Sequence, residues 1–481
     1  MEPENPDAPH ILLVSFPARG HLNPLLHLAK RLASCQGNHV TVCTCESHGK
    51  KMRTNASTNS GLADPVGEGF LRDYFNDGFD EGDECPRKDI NTYMGQLRVI
   101  GRQNLTRLIK KTREDSRHPV CCVINAPFLG WVNDVADVKI PNALNWLQNC
   151  ASLAAYYHYF RAIGEFPILC DNEPEIDVRL TGMPLLRHDE IPSFVHPSEG
   201  PYGFIRDALI EQVRALCRGE KFCILIDTFA NLEKDLIAHL KRVSLEVDIK
   251  PVGPNNRANK SAALTLTTSE DAAKNNTDSF LEWLDNQPPA SVVYISFGTI
   301  SYLRQEQLNE LNFGIVNSGL PFLWVLHGPE FGVREARATA PDRNLGRGRL
   351  IDWCSQDRVL AHPALNCFVT HCGWNSTMEA ISSGVPNLTF PQWNDQVTAA
   401  MYIGDLYRTG IRASKGEADQ KLDSRDEVLR CAAVTGDKAE ALKANVGVWK
   451  EKAAAAIGVG GSSDKNLRAF IDQIRSDRIN D

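Results

Sequence analysis

The chain has 481 residues, of which 42% are hydrophobic and 23% charged, as in a soluble globular protein with two or three domains. Its formal net charge of −8 argues against nucleic acid and anionic membranes as partners. The acidic, proline-rich start MEPENPDAPH lacks the pattern of a signal peptide, and no apolar run approaches the ~20 residues of a membrane span. The 14 cysteines are scattered without a CxxC pair, so we expect reduced thiols, a cytoplasmic location and no metal site.

The first half of the chain alternates short apolar runs with amphipathic segments, which predicts a parallel α/β sheet. The loop PARGHLNP follows the first predicted strand, and Asn23 with Pro24 predicts that a helix begins there. His21 is then expected just beyond the carboxyl end of a parallel strand, where open α/β sheets bind ligands. Strands are predicted at 10–16, 40–44, 120–124, 143–148 and 222–226, and helices at 93–111 and from 131 onwards.

Two segments of the first half have less certain roles. The acidic cluster 77–84 is interpreted as a solvated loop. Residues 153–163 contain five aromatic or histidine side chains in a row, from Tyr156 to Phe160. This density is typical of an apolar pocket for a ring-bearing ligand, and equally of core packing, so both interpretations stay open.

The second half repeats the alternation after a break. Residues 255–277 are rich in Asn, Ala, Ser and Thr, which predicts a linker or a mobile loop. Strands are then predicted at 291–297, with Gly298 and Thr299 at the carboxyl end, and at 321–326, with a helix at 305–317 between them. Two such arrays imply two doubly wound domains that face a cleft.

Residues 353–396 contain a strand, a tight turn and a helix. The apolar run 366–370 predicts a buried strand, and a helix is expected from Asn375 to a stop at Gly384. Unpaired N–H groups and the helix dipole at such a helix start attract an anion, and His371 adds a further donor.

The same stretch offers groups for a nucleoside. Glu379 shares one helix face with Asn375 and Ser376, so its carboxylate can accept hydrogen bonds from a ribose diol. Trp353 provides a flat surface on which a base can stack.

This stretch, and above all HCGWNSTMEA, resembles the signature box of plant secondary-product glycosyltransferases, which use UDP-sugars. The resemblance implies a GT-B fold with an acceptor-binding domain at 1–253, a linker at 254–278 and a UDP-sugar-binding domain at 279–458. The final helix, within 459–481, is expected to pack back on the first domain. The resemblance also implies UDP-glucose as co-substrate, no metal or other cofactor, a small aromatic acceptor and a monomer.

The resemblance further implies roles for individual residues. His21, in the GHLNP motif, corresponds to the catalytic base. A terminal Gln in the box resembles glucose-preferring members. The sugar-binding residues are expected to be Trp393, Asp395 and Gln396, and the UDP-binding residues Gly298, Thr299, Trp353, Cys354, Gln356, His371, Gly373, Trp374, Asn375, Ser376 and Glu379.

One position departs from the family pattern. Members usually orient the catalytic histidine with an Asp in a motif like YDSF, but the matching stretch here is NAPF, with Ala126 at the Asp position and Asn125 before it. Loss of the carboxylate should weaken His21 as a base. Segments such as DGFDEGDE and AAYYHYF resemble the subgroup that makes glucose esters of aromatic acids, which also lacks this Asp.

The resulting hypothesis is an inverting UDP-glucosyltransferase that forms 1-O-glucose esters of aromatic acids. The alternatives are a flavonoid or phenolic O- or C-glucosyltransferase on the same scaffold, and a nucleotide-sugar-binding protein without transferase activity. A dinucleotide oxidoreductase is disfavoured because the first strand leads into PARGHLNP instead of a GxGxxG fingerprint.

Overall fold

The computed structural model describes most of the chain. The described residues are 8–35, 38–46, 70–79, 90–115, 118–135, 140–161, 177–180, 182–195, 203–216, 222–243, 247–255, 277–298, 303, 305–326, 347–413 and 437–480. Thr299, residues 80–84 of the acidic cluster and residues 256–276 of the predicted linker lie outside them.

The first domain is built on a seven-stranded parallel sheet in the order β3-β2-β1-β4-β5-β6-β7. One of its interior strands, with the sequence HILLV, is buried along its whole length, as a strand covered on both faces must be. The strands are His10–Val14 (β1), His39–Cys45 (β2), Leu71–Phe75 (β3), Val120–Asn125 (β4), Asn142–Trp146 (β5), Phe222–Ile226 (β6) and Val247–Pro251 (β7).

The second domain repeats this plan with a six-stranded parallel sheet in the order β10-β9-β8-β11-β12-β13. In each sheet the strand order reverses at one point, between β1 and β4 in the first and between β8 and β11 in the second. Ligands bind at such points in doubly wound proteins. The strands are Val292–Ser296 (β8), Phe322–Val325 (β9), Gly348–Ile351 (β10), Leu365–Thr370 (β11), Asn387–Thr389 (β12) and Gly410–Arg412 (β13).

Helices cover both sheets. None of the helices in the described ranges is both long and apolar enough to cross a bilayer. The α-helices are Arg19–Ser34 (α1), Ile90–Gln96 (α2), Arg102–Asp115 (α3), Cys150–Phe160 (α4), Gly203–Leu216 (α5), Lys234–Val243 (α6), Thr277–Asp285 (α7), Gln305–Ser318 (α8), Gln356–Leu360 (α9), Trp374–Ser383 (α10), Gln396–Met401 (α11), Asp437–Ile457 (α12) and Ser462–Asn480 (α13).

The predicted α/β class and paired doubly wound sheets are confirmed, but some local predictions are wrong. Helix α1 begins at Arg19 with Ala18 as its N-cap, so Asn23 is not the cap and Pro24 lies inside the helix. The helix predicted from 131 is a short 3-10 helix, Gly130–Asp134. Asp77, taken as part of a solvated loop, is fully buried.

The last helix returns to the first domain. Leu467, Phe470 and Ile471 of α13 belong to the same buried cluster as Ile11 and Leu13 of β1. This packing ties the end of the chain to its beginning.

Hydrogen bonds join the two domains directly. Trp374 Nε1 donates to the Asp227 carbonyl at 2.7 Å, and Tyr156 OH donates to Asn394 Oδ1 at 2.9 Å. The buried Glu190 carboxylate accepts from Arg412 at 2.6 Å. Tyr156 therefore serves the domain interface, and since it is fully buried, core packing is the better interpretation of the aromatic run around it.

Candidate active site

A cleft of about 310 Å³ lies between the carboxyl ends of the two sheets. The cleft is lined by the turns that follow β1, β8 and β11. These three strands lie beside the two points at which the strand order reverses. Every sequence-predicted site residue within the described ranges lines this cleft, namely His21, Gly298, Trp353, Cys354, Gln356, His371, Gly373, Trp374, Asn375, Ser376, Glu379, Trp393, Asp395 and Gln396.

Two glycines enclose the imidazole of His371. A Cβ at Gly298, where φ is +71°, would lie 2.8 Å from His371 Nε2, and a Cβ at Gly373 would lie closer still. Burial lowers the pKa of His371 to about 4, against a hydrogen bond to the Ser296 backbone that raises it. The ring is therefore neutral at pH 7, and it can donate one N–H to an anion beside the start of α10.

A proline inside α1 links the two halves of the cleft. Pro24 has no N–H to donate to the carbonyl of Gly20, four residues before it. That carbonyl accepts instead from Asn375 Nδ2 at 2.7 Å. The first turn of α1, which carries His21, is thereby held against the first turn of α10.

The predicted ribose site is a connected group of polar side chains. Gln356 Nε2 donates to Glu379 Oε2 at 2.6 Å and to Ser376 Oγ at 2.9 Å, while its Oε1 accepts from Tyr294 OH at 3.2 Å. Burial raises the pKa of Glu379 to about 7, although the Gln356 hydrogen bond opposes this shift. The carboxylate is oriented by Gln356, and further hydrogen-bond donors from a ligand would stabilise its ionised form.

The predicted sugar-binding residues lie at the start of α11. Gln396 Oε1 accepts from the backbone N–H groups of Gln392 and Trp393 at 3.0 and 3.3 Å, so its amide oxygen already closes the turn. Burial raises the pKa of Asp395, the residue before α11, to about 7. The two hydrogen bonds hold the Gln396 side chain in place before any sugar is bound.

His21 lies between two phenylalanines. Its ring centre is 5.3 Å from that of Phe16 and 4.9 Å from that of Phe128, which has the left-handed φ of +73°. Its Nδ1 is buried and forms no hydrogen bond with any described residue. Burial lowers the pKa of His21 to about 4.

The NAPF stretch supplies no carboxylate to this histidine. Ala126 is fully buried, and Asn125 directs its amide to Asn133 Oδ1 at 2.9 Å and to the Leu129 carbonyl at 3.4 Å. His21 thus lacks the orienting acid that the family pattern would place at position 126.

Sequence reasoning missed several residues that line the cleft. Arg19 stands two residues before His21 in the first turn of α1, so its position in PARGHLNP was a usable signal. Gln148 follows β5, and its buried Oε1 has no hydrogen-bond partner among the described residues. Asp227 follows β6 and carries no sequence motif that could have identified it.

Comparisons with known proteins show which family the chain belongs to. The family model described as UDP-glucoronosyl and UDP-glucosyl transferase matches residues 266–410. The limonoid UDP-glucosyltransferase of Citrus unshiu is 50% identical over 474 residues, which cover 97% of this chain and 90% of that protein. The chain belongs to this UDP-glycosyltransferase family.

Two further relatives of this UDP-glycosyltransferase extend the comparison. The gallate 1-beta-glucosyltransferase of Quercus robur is 46% identical, with 97% of this chain and 90% of that protein covered. The crystal structure of Os79 from O. sativa in complex with UDP superposes with a TM-score of 0.79 at 30% identity, covering 96% of this chain and 100% of the other. The family resemblance and the GT-B fold predicted from the sequence are therefore confirmed.

Proposed function

We propose that this UDP-glycosyltransferase transfers glucose from UDP-glucose to the carboxylate of small aromatic acids and forms 1-O-glucose esters. The observation that carries the proposal is the environment of His21, a half-buried histidine whose buried Nδ1 has no hydrogen-bond partner among the described residues. The reaction would be a single displacement at the anomeric carbon with inversion, in which the acceptor oxygen forms its bond as the bond to UDP breaks.

The environment of His21 makes it a poor base for a phenol. Its pKa of about 4, against the ordinary 6.5, means that charging the ring costs about 3 kcal/mol more than in water. A carboxylate at Nδ1 would offset that cost, but Ala126 occupies the family's Asp position.

An aromatic acid avoids this difficulty. With a pKa near ~4 it is ionised at neutral pH and needs no proton removed, whereas a phenol with a pKa near ~10 does. His21 can still donate or accept a hydrogen bond that orients the attacking oxygen. The chemistry of the site therefore favours carboxylates over phenols.

The other half of the cleft supports departure of UDP. His371 and the N–H groups at the start of α10 are donors for the diphosphate, and the Gln356–Glu379 pair is an acceptor for the ribose. The residues from Trp393 to Gln396 then face the glucose. These donor-site roles are part of the proposal.

The names of the relatives include one aromatic acid acceptor, but they also include an acceptor of another class. The Quercus robur protein is named for gallate, and the Citrus unshiu protein for a limonoid. An acceptor panel therefore tests the proposal, with 4-hydroxycinnamic acid, cinnamic acid and 4-hydroxycinnamyl alcohol as a matched set.

The set separates the two acceptor groups. Cinnamic acid has only the carboxyl group and the alcohol keeps the phenol. We expect transfer to both acids, with products hydrolysed by mild alkali, and little transfer to the alcohol. Efficient glucosylation of the alcohol with neglect of cinnamic acid, or alkali-stable C-glucosides from a phloretin-type acceptor, would refute the ester proposal.

A further inference from the structure

The cleft holds little fixed positive charge for a ligand that carries a diphosphate. Arg19 is the only lysine or arginine among the described residues that line it. Four acids line the same cleft, namely Asp227, Asp357, Glu379 and Asp395. The dianionic UDP-sugar therefore enters a cleft lined by four acidic side chains and one guanidinium among the described residues.

The histidines of the cleft do not correct this balance. Burial lowers the pKa of both His21 and His371 to about 4, and it lowers the pKa of His27 as well. All three are neutral at pH 7. A guanidinium, in contrast, stays protonated in a protein.

Arg19 belongs to the first domain but contacts the donor half of the cleft. Its Cζ lies 5.9 Å from the centre of the Trp353 ring, a cation–π distance. The next residue, Gly20, accepts the hydrogen bond from Asn375 at the first turn of α10. The start of α1 thus lies between the predicted base-stacking surface and the predicted anion site.

We propose that Arg19 is a donor-binding residue, which pairs with the diphosphate of the UDP-sugar and so joins the two domains across the ligand. A guanidinium presents forked N–H donors that match phosphate oxygens in pairs. We assign Arg19 to the diphosphate instead of the acceptor carboxylate because its surroundings belong to the second domain. Arg19 itself contacts Trp353, and the adjacent Gly20 accepts the hydrogen bond from Asn375. The inference rests on the proposed donor site and is independent of the proposed acceptor.

Calorimetric titration without any acceptor tests this role. Wild type, Arg19→Gln and Arg19→Lys are each titrated with UDP and with uridine, which shares the base and ribose but has no phosphate. Arg19→Gln should weaken UDP by about tenfold to a hundredfold, as expected for loss of a charge-assisted hydrogen bond. Uridine affinity should change less than about twofold, and Arg19→Lys should restore part of the UDP affinity.

Ionic strength gives a second readout. UDP binding to the wild type should weaken with added salt more than binding to Arg19→Gln, because screening acts on the charge that the variant has lost. Thermal melting of each variant checks that it is folded.

Three results would overturn the assignment. Unchanged UDP affinity in Arg19→Gln would remove Arg19 from the donor site. Equal losses for UDP and uridine would mean that Arg19 only supports the Trp353 surface. A raised KM for the aromatic acid with unchanged UDP affinity would make it an acceptor residue. A wild-type protein that binds UDP but forms no ester would refute the acceptor proposal without affecting the assignment of Arg19 to the donor site.

Discussion

Glu379 provides the most quantitative test of the donor site. Its carboxylate lies 2.6 Å from Gln356 Nε2, and burial raises its pKa to about 7. A ribose diol donates hydrogen bonds, so it binds the ionised carboxylate better than the protonated acid. Ligand binding should therefore lower the pKa of Glu379 and release a proton near neutrality.

The sign and size of the effect follow from this pKa. Below pH 7 the free protein holds a proton on Glu379 that must be removed on binding, so affinity falls as the pH falls. With a pKa of about 7 in the free protein and an ordinary value in the complex, affinity at pH 6 should be about tenfold weaker than at pH 8. Above pH 8 the affinity should be constant.

Uridine is the appropriate probe, because it keeps the ribose but carries neither a phosphate that titrates near pH 6 nor the glucose that would contact Asp395. Its dissociation constant is measured by calorimetry between pH 6 and pH 8 for the wild type, Glu379→Gln and Asp395→Asn. The first variant should show no pH dependence and weaker binding at pH 8. The second, an equivalent change of an acid whose pKa is also about 7, should keep the wild-type profile.

A pH-independent affinity in the wild type, or an unchanged profile in Glu379→Gln, would show that Glu379 does not bind the ribose. Loss of the pH dependence in Asp395→Asn would identify Asp395, instead of Glu379, as the titrating group.

Two further predictions concern the anion site and the sugar site. Gly373→Ala places a methyl group against His371 Nε2, so UDP affinity should fall by about fivefold or more through overpacking of about 1–3 kcal/mol. Gly447→Ala, at a half-buried glycine where an added Cβ meets nothing within 4 Å, should bind UDP as the wild type does. Gln396→His removes the amide oxygen that accepts hydrogen bonds from the backbone of Gln392 and Trp393. The ratio of kcat/KM for UDP-glucose to that for UDP-galactose should therefore fall. An unchanged ratio would show that Gln396 does not select the sugar.

The strands that pattern alone could predict are those buried on both faces. In strand β1, the sequence ILLV is a continuous apolar run that is buried along its whole length, and such a run predicts a strand covered on both faces. Strand β3, with the sequence LRDYF, was missed because it lies at the sheet edge and is mostly exposed or half-buried. Its strand conformation comes from pairing with β2, a contact that local sequence does not encode.

The start of α1 was misplaced for a related reason. Pro24 usually marks a first helical turn, but here it lies in the sixth position of α1, where its missing N–H frees the Gly20 carbonyl for Asn375. That bond joins residues 355 positions apart in the chain. Motif residues such as His371 and Glu379 could be found from their spacing, and Arg19 could have been found from its place in PARGHLNP. Gln148 and Asp227 join the site only through the tertiary fold.

The central claim is that this enzyme glucosylates a carboxylate that needs no base, and His21→Ala tests it most directly. The value of kcat/KM for the variant and the wild type is compared with cinnamic acid and with whichever phenol the wild type uses measurably. Because His21 is a weak base, the phenol reaction should lose activity toward the lower end of the about 10²–10⁴-fold that a general base usually contributes. The acid reaction should lose much less because it has no proton to give. Equal losses of that size with both acceptors would contradict the account, since His21 would then be as necessary for an ionised acid as for a phenol.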